Sequence, residues 1–313
     1  MAAPFVIHAN LDVEARWLGV ALKRAVRERI SYSAALLAAL APPDAAAIEI
    51  YAPEPVDPAA IRVPRVTMRA GAPPGDRADL RWADPGPIAR AANDRRLALA
   101  TFPLAGARPI ESLAELDAHA SATPGPWLCK APWTAAGRDR AHGDPAGGPP
   151  AGELRARVAR LLARAGAVVY EPLLARVADY GTCARVDAAG AVTAEPPHAI
   201  VVDDRGGFRG ISPCPPGEPA PAVAAELAAA VARAGATLAS RGYRGPFTID
   251  SFTHADRATG AIAVRACCEI NARYSFGVVA RALGGTLGFG PPPPDALVVI
   301  ASPIVTAWTT RNL

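Results

Sequence analysis

Short apolar stretches and stretches with helical spacing follow one another along the first 90 residues. FVIH at 5–8 and IEIYAP at 48–53 are predicted to be buried strands, and VPRVTMRA is predicted to be a third. Between the first two strands, apolar residues recur three or four apart from residue 13 to residue 25, which is typical of a helix. This succession of strand, helix and further strands predicts an α/β domain over residues 1–90.

The pattern changes to helices, one strand and a long polar stretch over residues 91–168. NDRRLALATF is predicted to be a helix capped by Asn93 or Asp94, SLAELDAHA carries a capping box, and WLCKAP is predicted to be a strand. Residues 134–152 are rich in glycine, proline and small residues, and a loop of that length in a compact domain is usually functional or disordered. The helix ELRARVARLLARAG closes this second unit.

Two hairpins and a long helix are predicted for the third unit, residues 169–313. ARVDAAGAVTAEP is predicted to turn at Ala189 and Gly190, a helix covers about 222–240, and TIDSFTHADRATGAIAVRACCEINAR forms the second hairpin. Side chains along a strand point alternately to opposite faces. The last strand is therefore expected to turn Ala266, Cys268 and Ile270 to the core. Its polar residues Glu269, Asn271 and Arg273 are expected on the opposite face.

The polar face of the last hairpin is a candidate metal site. If the two strands pair so that Asp250 lies near Glu269, two carboxylates and the amide oxygen of Asn271 converge. Hard oxygen ligands of this kind suit Mg²⁺, with Mn²⁺ as an alternative. An ordinary exposed hairpin face, on which Arg273 neutralises Glu269, is an equally simple interpretation of the same residues.

Lys130 stands at the end of an apolar strand and runs directly into the glycine-rich stretch. A lysine is a suitable point charge for phosphate oxygens, and glycine-rich backbone can approach a phosphate closely. The combination predicts a phosphate contact. The alternative is that Lys130 lies on an edge strand with its ammonium in water, and that the glycine-rich stretch is only a surface connector.

Composition excludes several classes of protein. With 51% hydrophobic and 20% charged residues, the 313-residue chain is expected to be globular, and its net charge of +4 is too small and scattered to predict nucleic-acid binding. The five cysteines form no CxxC pair, which predicts reduced thiols and a cytoplasmic location. The N-terminus lacks a positively charged leader, and the longest apolar run is too short to span a bilayer, so no membrane association is expected.

Four segments in order resemble the ATP-grasp superfamily, and the resemblance covers roughly residues 88–290. They are WLCKAPWTAAGRDR, VVYEPLLARVADYG, GYRGPFTIDSF and CCEINARYSFG. The resemblance implies an α/β (α+β) fold in which a pre-ATP-grasp-like α/β domain, residues 1–90, precedes two α+β subdomains, residues 91–168 and 169–313, that grip ATP.

The resemblance also implies a role for individual residues. Lys130 would hold the ATP phosphates under a loop that includes Ala136, Gly137 and Arg138, Glu171 would mark the hinge strand beside adenine, and Asp179 would lie near the ribose. The implied metal ligands are Asp250, Glu269 and Asn271, and Arg273 would face the transferred phosphoryl group or the substrate carboxylate. Where many members carry an early lysine, this chain offers Arg95 or Arg96.

The activity implied by the resemblance is that of an ATP-dependent ligase, which activates a small-molecule carboxylate as an acylphosphate and joins it to an amine. A kinase-like phosphoryl transfer and a noncatalytic ATP-binding module are the alternatives. The acceptor cleft is expected to include the polar residues that follow the first strand, namely His8, Asn10, Asp12 and Glu14. The alternative is that these residues only form the N-terminus of a helix. The sequence leaves a homodimer open.

Overall fold

The computed structural model describes residues 3–56, 65–134, 139–202, 208–257, 259–283, 287–289 and 299–300. Its α-helices are α1 (Val13–Trp17), α2 (Arg24–Ala34), α3 (Pro87–Ala92), α4 (Arg95–Thr101), α5 (Leu113–Ala122), α6 (Gly152–Ala165), α7 (Pro221–Ser240) and α8 (Phe276–Ala282). The strands of the first two units are β1 (Phe5–His8), β2 (Ile48–Ala52), β3 (Val66–Ala70), β4 (Leu80–Arg81), β5 (Arg108–Ile110), β6 (Trp127–Lys130), β7 (Arg140–His142) and β8 (Val168–Pro172). Those of the last unit are β9 (Ala175–Val186), β10 (Val192–Ala194), β11 (His198–Val202), β12 (Phe208–Pro213), β13 (Gly245–Ala255), β14 (Ile262–Asn271), β15 (Leu287–Phe289) and β16 (Val299–Ile300).

The first sheet is parallel and has the strand order β3-β2-β1-β4. Its central strands bury Ile7 and Ile50 completely, as the apolar runs of the sequence predict. The single helix expected from residue 13 to residue 25 is instead two. Helix α1 ends at Trp17 because Gly19 adopts a left-handed conformation (φ 64°), which terminates a helix without the steric cost that other residues would pay.

The second sheet is antiparallel, with the order β5-β8-β6-β7. Helices α5 and α6 contribute Leu116, Val158 and Leu161 to the cluster that also buries Trp127 and Tyr170. Strand β8 pairs with β5 and β6, so this sheet continues to Pro172, beyond the boundary predicted at residue 168. The described residues form three separate sheets, and the predicted division of the chain into three units stays a prediction.

The third sheet has the order β14-β13-β9-β11-β12-β15-β16, with β10 paired to β9. Both predicted hairpins are present, β9 with β10 and β13 with β14. Helix α7 covers one face with Val231, Ala234 and Leu238, against Phe247 and Ile249 of β13. Residues from α3 and α4 join the same cluster, so the segment from residue 87 to residue 102 packs on this sheet rather than on the second one.

Helix α7 is the one helix in the described ranges that is long and apolar enough to cross a membrane by length and composition. One side of it is buried on the third sheet, with Ala234 and Leu238 fully covered. Packing on the sheet accounts for its apolar residues.

Candidate active site

The two strands of the last hairpin pair in the register that brings the candidate metal ligands together. Asp250 lies directly opposite Glu269, and Thr248 lies opposite Asn271. The Asn271 side chain donates from Nδ2 to Asp250 Oδ2 over 3.2 Å. All three predicted oxygen ligands therefore lie side by side, on the face of the sheet away from α7.

A row of four residues crosses the third sheet at this point. His198 of β11 is opposite Gly181 of β9, Gly181 is opposite Asp250, and Asp250 is opposite Glu269. A Cβ atom at Gly181 would lie 2.3 Å from His198 Nε2, so the imidazole occupies the space that the glycine leaves open. His198 could not be predicted as a neighbour of Asp250, because nothing in the local sequence indicates which strand lies beside Gly181.

The electrostatics of this row favour a cation. Burial, and to a smaller extent the charge of Glu269, raise the pKa of Asp250 to about 7 against the opposing effect of Arg273. Burial lowers the pKa of His198 to about 4, with a smaller effect in the same direction from Arg281, so the imidazole is neutral at pH 7. Two carboxylates face each other and no positive imidazole compensates them.

These residues fit a divalent cation with hard-ligand preferences. In the part of the chain that the structure describes, no three histidine, cysteine, aspartate or glutamate residues are placed so that they alone could hold a metal ion. A site here would use the two carboxylates Asp250 and Glu269 and the amide of Asn271. Mg²⁺ suits such a sparse set because it keeps several waters and takes its other ligands from substrate phosphates.

Arg95 is buried and connects this row to the second unit. Its Nη2 donates to Glu269 Oε1 over 2.8 Å and to the carbonyl oxygen of Thr134 over 2.9 Å. Its Nη1 donates to the carbonyl oxygen of Ala131 over 2.7 Å and to Thr134 Oγ1 over 2.6 Å. Four hydrogen bonds to protein groups leave only Nε, which is buried without a partner among the described residues, so Arg95 is built into the fold rather than offered to a phosphate. Arg96 pairs with Asp94, the residue that caps α4.

Lys130 and Glu171 form an ion pair on the second sheet. Lys130 Nζ donates to Glu171 Oε2 over 2.6 Å, and only 11% and 10% of the two side chains is exposed. Burial alone would raise the pKa of Glu171, but the charge and hydrogen bond of Lys130 hold it below its usual value. The two residues were assigned separate roles from the sequence, and the structure brings them into contact.

The predicted phosphate-loop residues Ala136, Gly137 and Arg138 lie outside the described residues. The flanking residues are anchored. Thr134 is held by Arg95, and Asp139 is paired with Arg164 of α6. Thr134 and Asp139 are therefore both held by arginine side chains.

Asp179 lies within strand β9 and not in a solvated turn. It is opposite Phe252 and accepts a hydrogen bond from Arg176, whose guanidinium lies 4.0 Å from the centroid of the Phe252 ring. Burial raises the pKa of Asp179, and the ion pair with Arg176 opposes this. Its predicted contact with a ribose stays a prediction.

A bulge in the last hairpin changes which cysteine faces the core. The register shifts between Asp250 and Phe252, so strict alternation fails there. Cys267 joins the apolar cluster under α7 with Ile270, where Cys268 was expected. Burial raises the pKa of the Cys268 thiol to about 11, with opposing effects from Arg176 and Lys130, which places Cys268 in the electrostatic surroundings of the site.

Arg273 joins the site to the first unit. Its Nε donates to Glu14 Oε1 over 2.6 Å, and its Nη2 donates to Asn271 Oδ1 over 2.9 Å. The guanidinium also lies 5.7 Å from the centroid of the Trp82 ring. Of the polar residues expected near an acceptor, Glu14 is thus in contact with the site, whereas Asn10 is bonded to the backbone of Ala83 through both its donor and its acceptor.

Comparison with known proteins identifies the fold. N5-carboxyaminoimidazole synthetase from Staphylococcus aureus is 11% identical and matches 87% of this chain and 72% of its own, with a TM-score of 0.52. Phosphoribosylamine–glycine ligase from Thermotoga maritima is 12% identical, with coverage of 88% and 70% and a TM-score of 0.50. Pyruvate carboxylase from Rhizobium etli is 18% identical, with a TM-score of 0.55, and this chain covers 28% of its length. Neither a protein-family model nor a curated sequence matches the chain.

The chain has the ATP-grasp fold. The fold expected from the four sequence segments is therefore confirmed. The identities of 11–18% extend to the fold and not to the activity.

Proposed function

We propose that the protein is an ATP-dependent ligase that activates a small-molecule carboxylate as an acylphosphate and joins it to an amine. The observation that supports this most is the register of β13 and β14, which sets Asp250, Glu269 and Asn271 side by side, with Arg273 bonded to Asn271. Each of the two synthetases or ligases compared above carries a name that describes bond formation of this general kind.

The contacts of these residues support the roles that we propose for them. Asp250, Glu269 and Asn271 would hold Mg²⁺, or Mn²⁺, which supplies charge neutralisation to the nucleotide phosphates. An ammonium has three donors, and Lys130 uses one of them on Glu171, so two remain for phosphate oxygens. Glu171 thereby fixes the direction of Lys130. Arg273 would present its guanidinium to the substrate carboxylate or to the transferred phosphoryl group.

The reaction balances as two displacements. A carboxylate oxygen of the substrate attacks the γ-phosphorus of ATP, and the bond from that phosphorus to the β,γ-bridging oxygen breaks. The products of this step are ADP and an acylphosphate. The amine nitrogen then attacks the acyl carbon, inorganic phosphate departs with the bonding electrons, and the nitrogen gives up a proton. Lys130 and Arg273 would neutralise the oxygens between which negative charge moves, a contribution that requires no reorganisation when the groups are already fixed.

The reduced state of the five cysteines is consistent with a cytoplasmic location, which belongs to the same proposal. A kinase-like transfer that stops after the first displacement is the second candidate. It would use the same nucleotide site and would leave a phosphorylated product without an amide bond.

The test is ADP release by the purified protein with MgCl₂ and ATP, across pools of small carboxylates and amines. The comparison variants are Asp250→Asn and Glu269→Gln, with Glu28→Gln on the exposed part of α2 as the matched control. We expect substrate-dependent ADP release by the parent protein and by Glu28→Gln, and a loss of at least about 100-fold in the two site variants. ADP release that survives in Glu269→Gln would reject the site, and product without an amide bond would favour the kinase-like reaction.

A further inference from the structure

The asparagine between helices α3 and α4 joins them to the turn that follows β14. Its neighbour Asp94 caps α4 by accepting from the N–H of Arg96. The Asn93 side chain is buried and reaches Ala272, whose N–H donates to Asn93 Oδ1 over 3.0 Å. Asn93 Nδ2 donates to the carbonyl oxygen of Ala272 over 3.2 Å and to that of Ala89 over 2.7 Å. One amide therefore holds both backbone groups of Ala272.

The hydrogen bonds of Asn93 leave no freedom in the direction of its amide. The oxygen must face the N–H of Ala272, and the nitrogen must face two carbonyl oxygens, so only one orientation of the amide fits. A buried polar group whose hydrogen bonds are all made adds geometric precision more than stability, since an apolar residue could fill the same volume. This indicates that Asn93 determines where Ala272 lies.

Ala272 precedes Arg273, and the residue that follows Arg273 is held as well. The backbone N–H of Tyr274 donates to the carbonyl oxygen of Trp82 over 3.0 Å. Strand β14 ends at Asn271, so Arg273 lies beyond the paired part of the hairpin. Apart from the local bond of its own N–H to the carbonyl oxygen of Asn271, its backbone is positioned through these two neighbours.

Of the two contacts, only the one from Asn93 depends on a side chain, because Trp82 and Tyr274 are joined through their backbones. The Arg273 guanidinium ends at the candidate metal ligands, where its Nη2 donates to Asn271 Oδ1 over 2.9 Å. A displacement of about 1 Å in a group that orients a substrate can cost about 100-fold in rate. The position of the turn is therefore important for the reaction.

We infer that Asn93 is a positioning residue that fixes the direction of Arg273 toward the substrate carboxylate. The inference rests on the proposed function, in which Arg273 meets that carboxylate. The metal ligands should not depend on Asn93, because Asn271 is held opposite Thr248 in the sheet and donates to Asp250.

The test compares Asn93→Ala with Leu238→Ala. Leu238 is a fully buried residue of α7 in the apolar cluster that also contains Ala272, so its truncation lowers stability without removing a side-chain hydrogen bond. The first measurement is hydrogen–deuterium exchange, read by mass spectrometry of peptides that span residues 271–276. We expect exchange of this segment to be at least about tenfold faster in Asn93→Ala than in the parent protein, and to stay within about twofold in Leu238→Ala.

The second measurement is carboxylate-dependent ADP release with MgCl₂ and ATP. In Asn93→Ala we expect kcat/KM for the carboxylate to fall at least about tenfold, while the KM for ATP changes by no more than about threefold. Leu238→Ala should keep both values. A role in stability alone would not separate the two substrates.

Should Asn93→Ala fail to fold, as judged by its circular dichroism, Asn93→Asp keeps the shape of the side chain and the acceptor for Ala272. It loses both donors and turns a carboxylate toward two carbonyl oxygens, so the same changes are expected. Unchanged exchange, faster exchange without a loss in kcat/KM for the carboxylate, or an equal loss for ATP would overturn the inference. Failure of the proposed function is separable. A parent protein that releases no ADP would reject the ligase, and the exchange measurement would still decide whether Asn93 holds the turn.

Discussion

The guanidinium of Arg95 connects the second unit to Glu269, a role that its position in the sequence does not predict. The resemblance aligns it with a phosphate-binding lysine, but four of its five N–H groups are bonded to Glu269, Ala131 and Thr134. A lysine has three donors on one atom and cannot span these acceptors, so the replacement is not a conservative one. Arg95 would therefore compete with the proposed metal ion for Glu269, and it holds Thr134 in place through two hydrogen bonds.

Arg95→Gln is therefore expected to separate two properties that usually change together. Loss of the positive charge leaves Glu269 free, so Mn²⁺ should bind about tenfold more tightly, while breakage of a buried ion pair should lower the free energy of unfolding by about 3–5 kcal/mol. Calorimetric Mn²⁺ titration and urea unfolding measure the two. Arg96→Gln, in a more exposed ion pair, is the control and should change stability by no more than about 1 kcal/mol. Weaker Mn²⁺ binding in Arg95→Gln would show that Arg95 does not compete for Glu269.

Site residues could be predicted together where they lie close to one another in the sequence. Asp250, Glu269 and Asn271 could be placed together because one hairpin carries all three. The pairing of Lys130 with Glu171 and the position of His198 depend on which distant strands become neighbours, and a single sequence does not specify that. The structure supplies the neighbours, and the metal, phosphate and ribose roles remain predictions.

At the level of strands and helices, the expectation of strict alternation failed at one bulge. Ser251 sits in the shifted part of the register and donates from its hydroxyl to the carbonyl oxygen of Ala266. At a bulge, extra residues of one strand lie opposite a single residue of the neighbouring strand. As a result Cys267, and not Cys268, faces the cluster under α7. Nothing in the apolar sequence ACCEI distinguishes the two registers, whereas the capping box of α5, which is local, was predicted correctly at Ser112 and Glu115.

Helix α8 approaches the third sheet closely enough to require a glycine. A Cβ atom at Gly277 would lie 2.6 Å from His198 Cε1 and 2.7 Å from Cys183 Sγ. Gly277→Ala should therefore displace His198 and lower the free energy of unfolding by about 1–3 kcal/mol, although alanine favours the helix. Urea unfolding measures the loss.

The double variant Gly277→Ala, His198→Ala is the control for this contact. Removal of the imidazole provides room for the new methyl group, so the double variant should lose less than the sum of the two single variants, by about 1 kcal/mol or more. Additive losses would mean that α8 relieves the contact by moving away from the sheet, and the row of His198 and Asp250 would then not depend on Gly277.

Across the whole molecule, the units meet through both apolar and buried polar contacts, since the apolar cluster of the first sheet includes Ile211, Val279 and Ala280 of the third unit. Three units could be predicted from the changes of hydrophobic period along the chain, and their bounds stay a prediction. The contacts between units could not, since Arg95 with Glu269 and Glu14 with Arg273 join residues 174 and 259 positions apart. The same contacts place the predicted acceptor and nucleotide regions next to each other.

The ion pair between Glu14 and Arg273 should hold the first unit against the ATP-grasp subdomains. Only 7% and 11% of the two side chains is exposed, so Glu14→Gln leaves a buried guanidinium without its countercharge and should cost about 3–5 kcal/mol in urea unfolding. Adding Arg273→Gln to that variant removes the uncompensated charge. The double variant should therefore be destabilised less than the sum of the single variants by about 1–3 kcal/mol. Additivity within about 0.5 kcal/mol would show that the units are joined by their apolar contacts alone, and that Glu14 is free to serve a ligand instead of the fold.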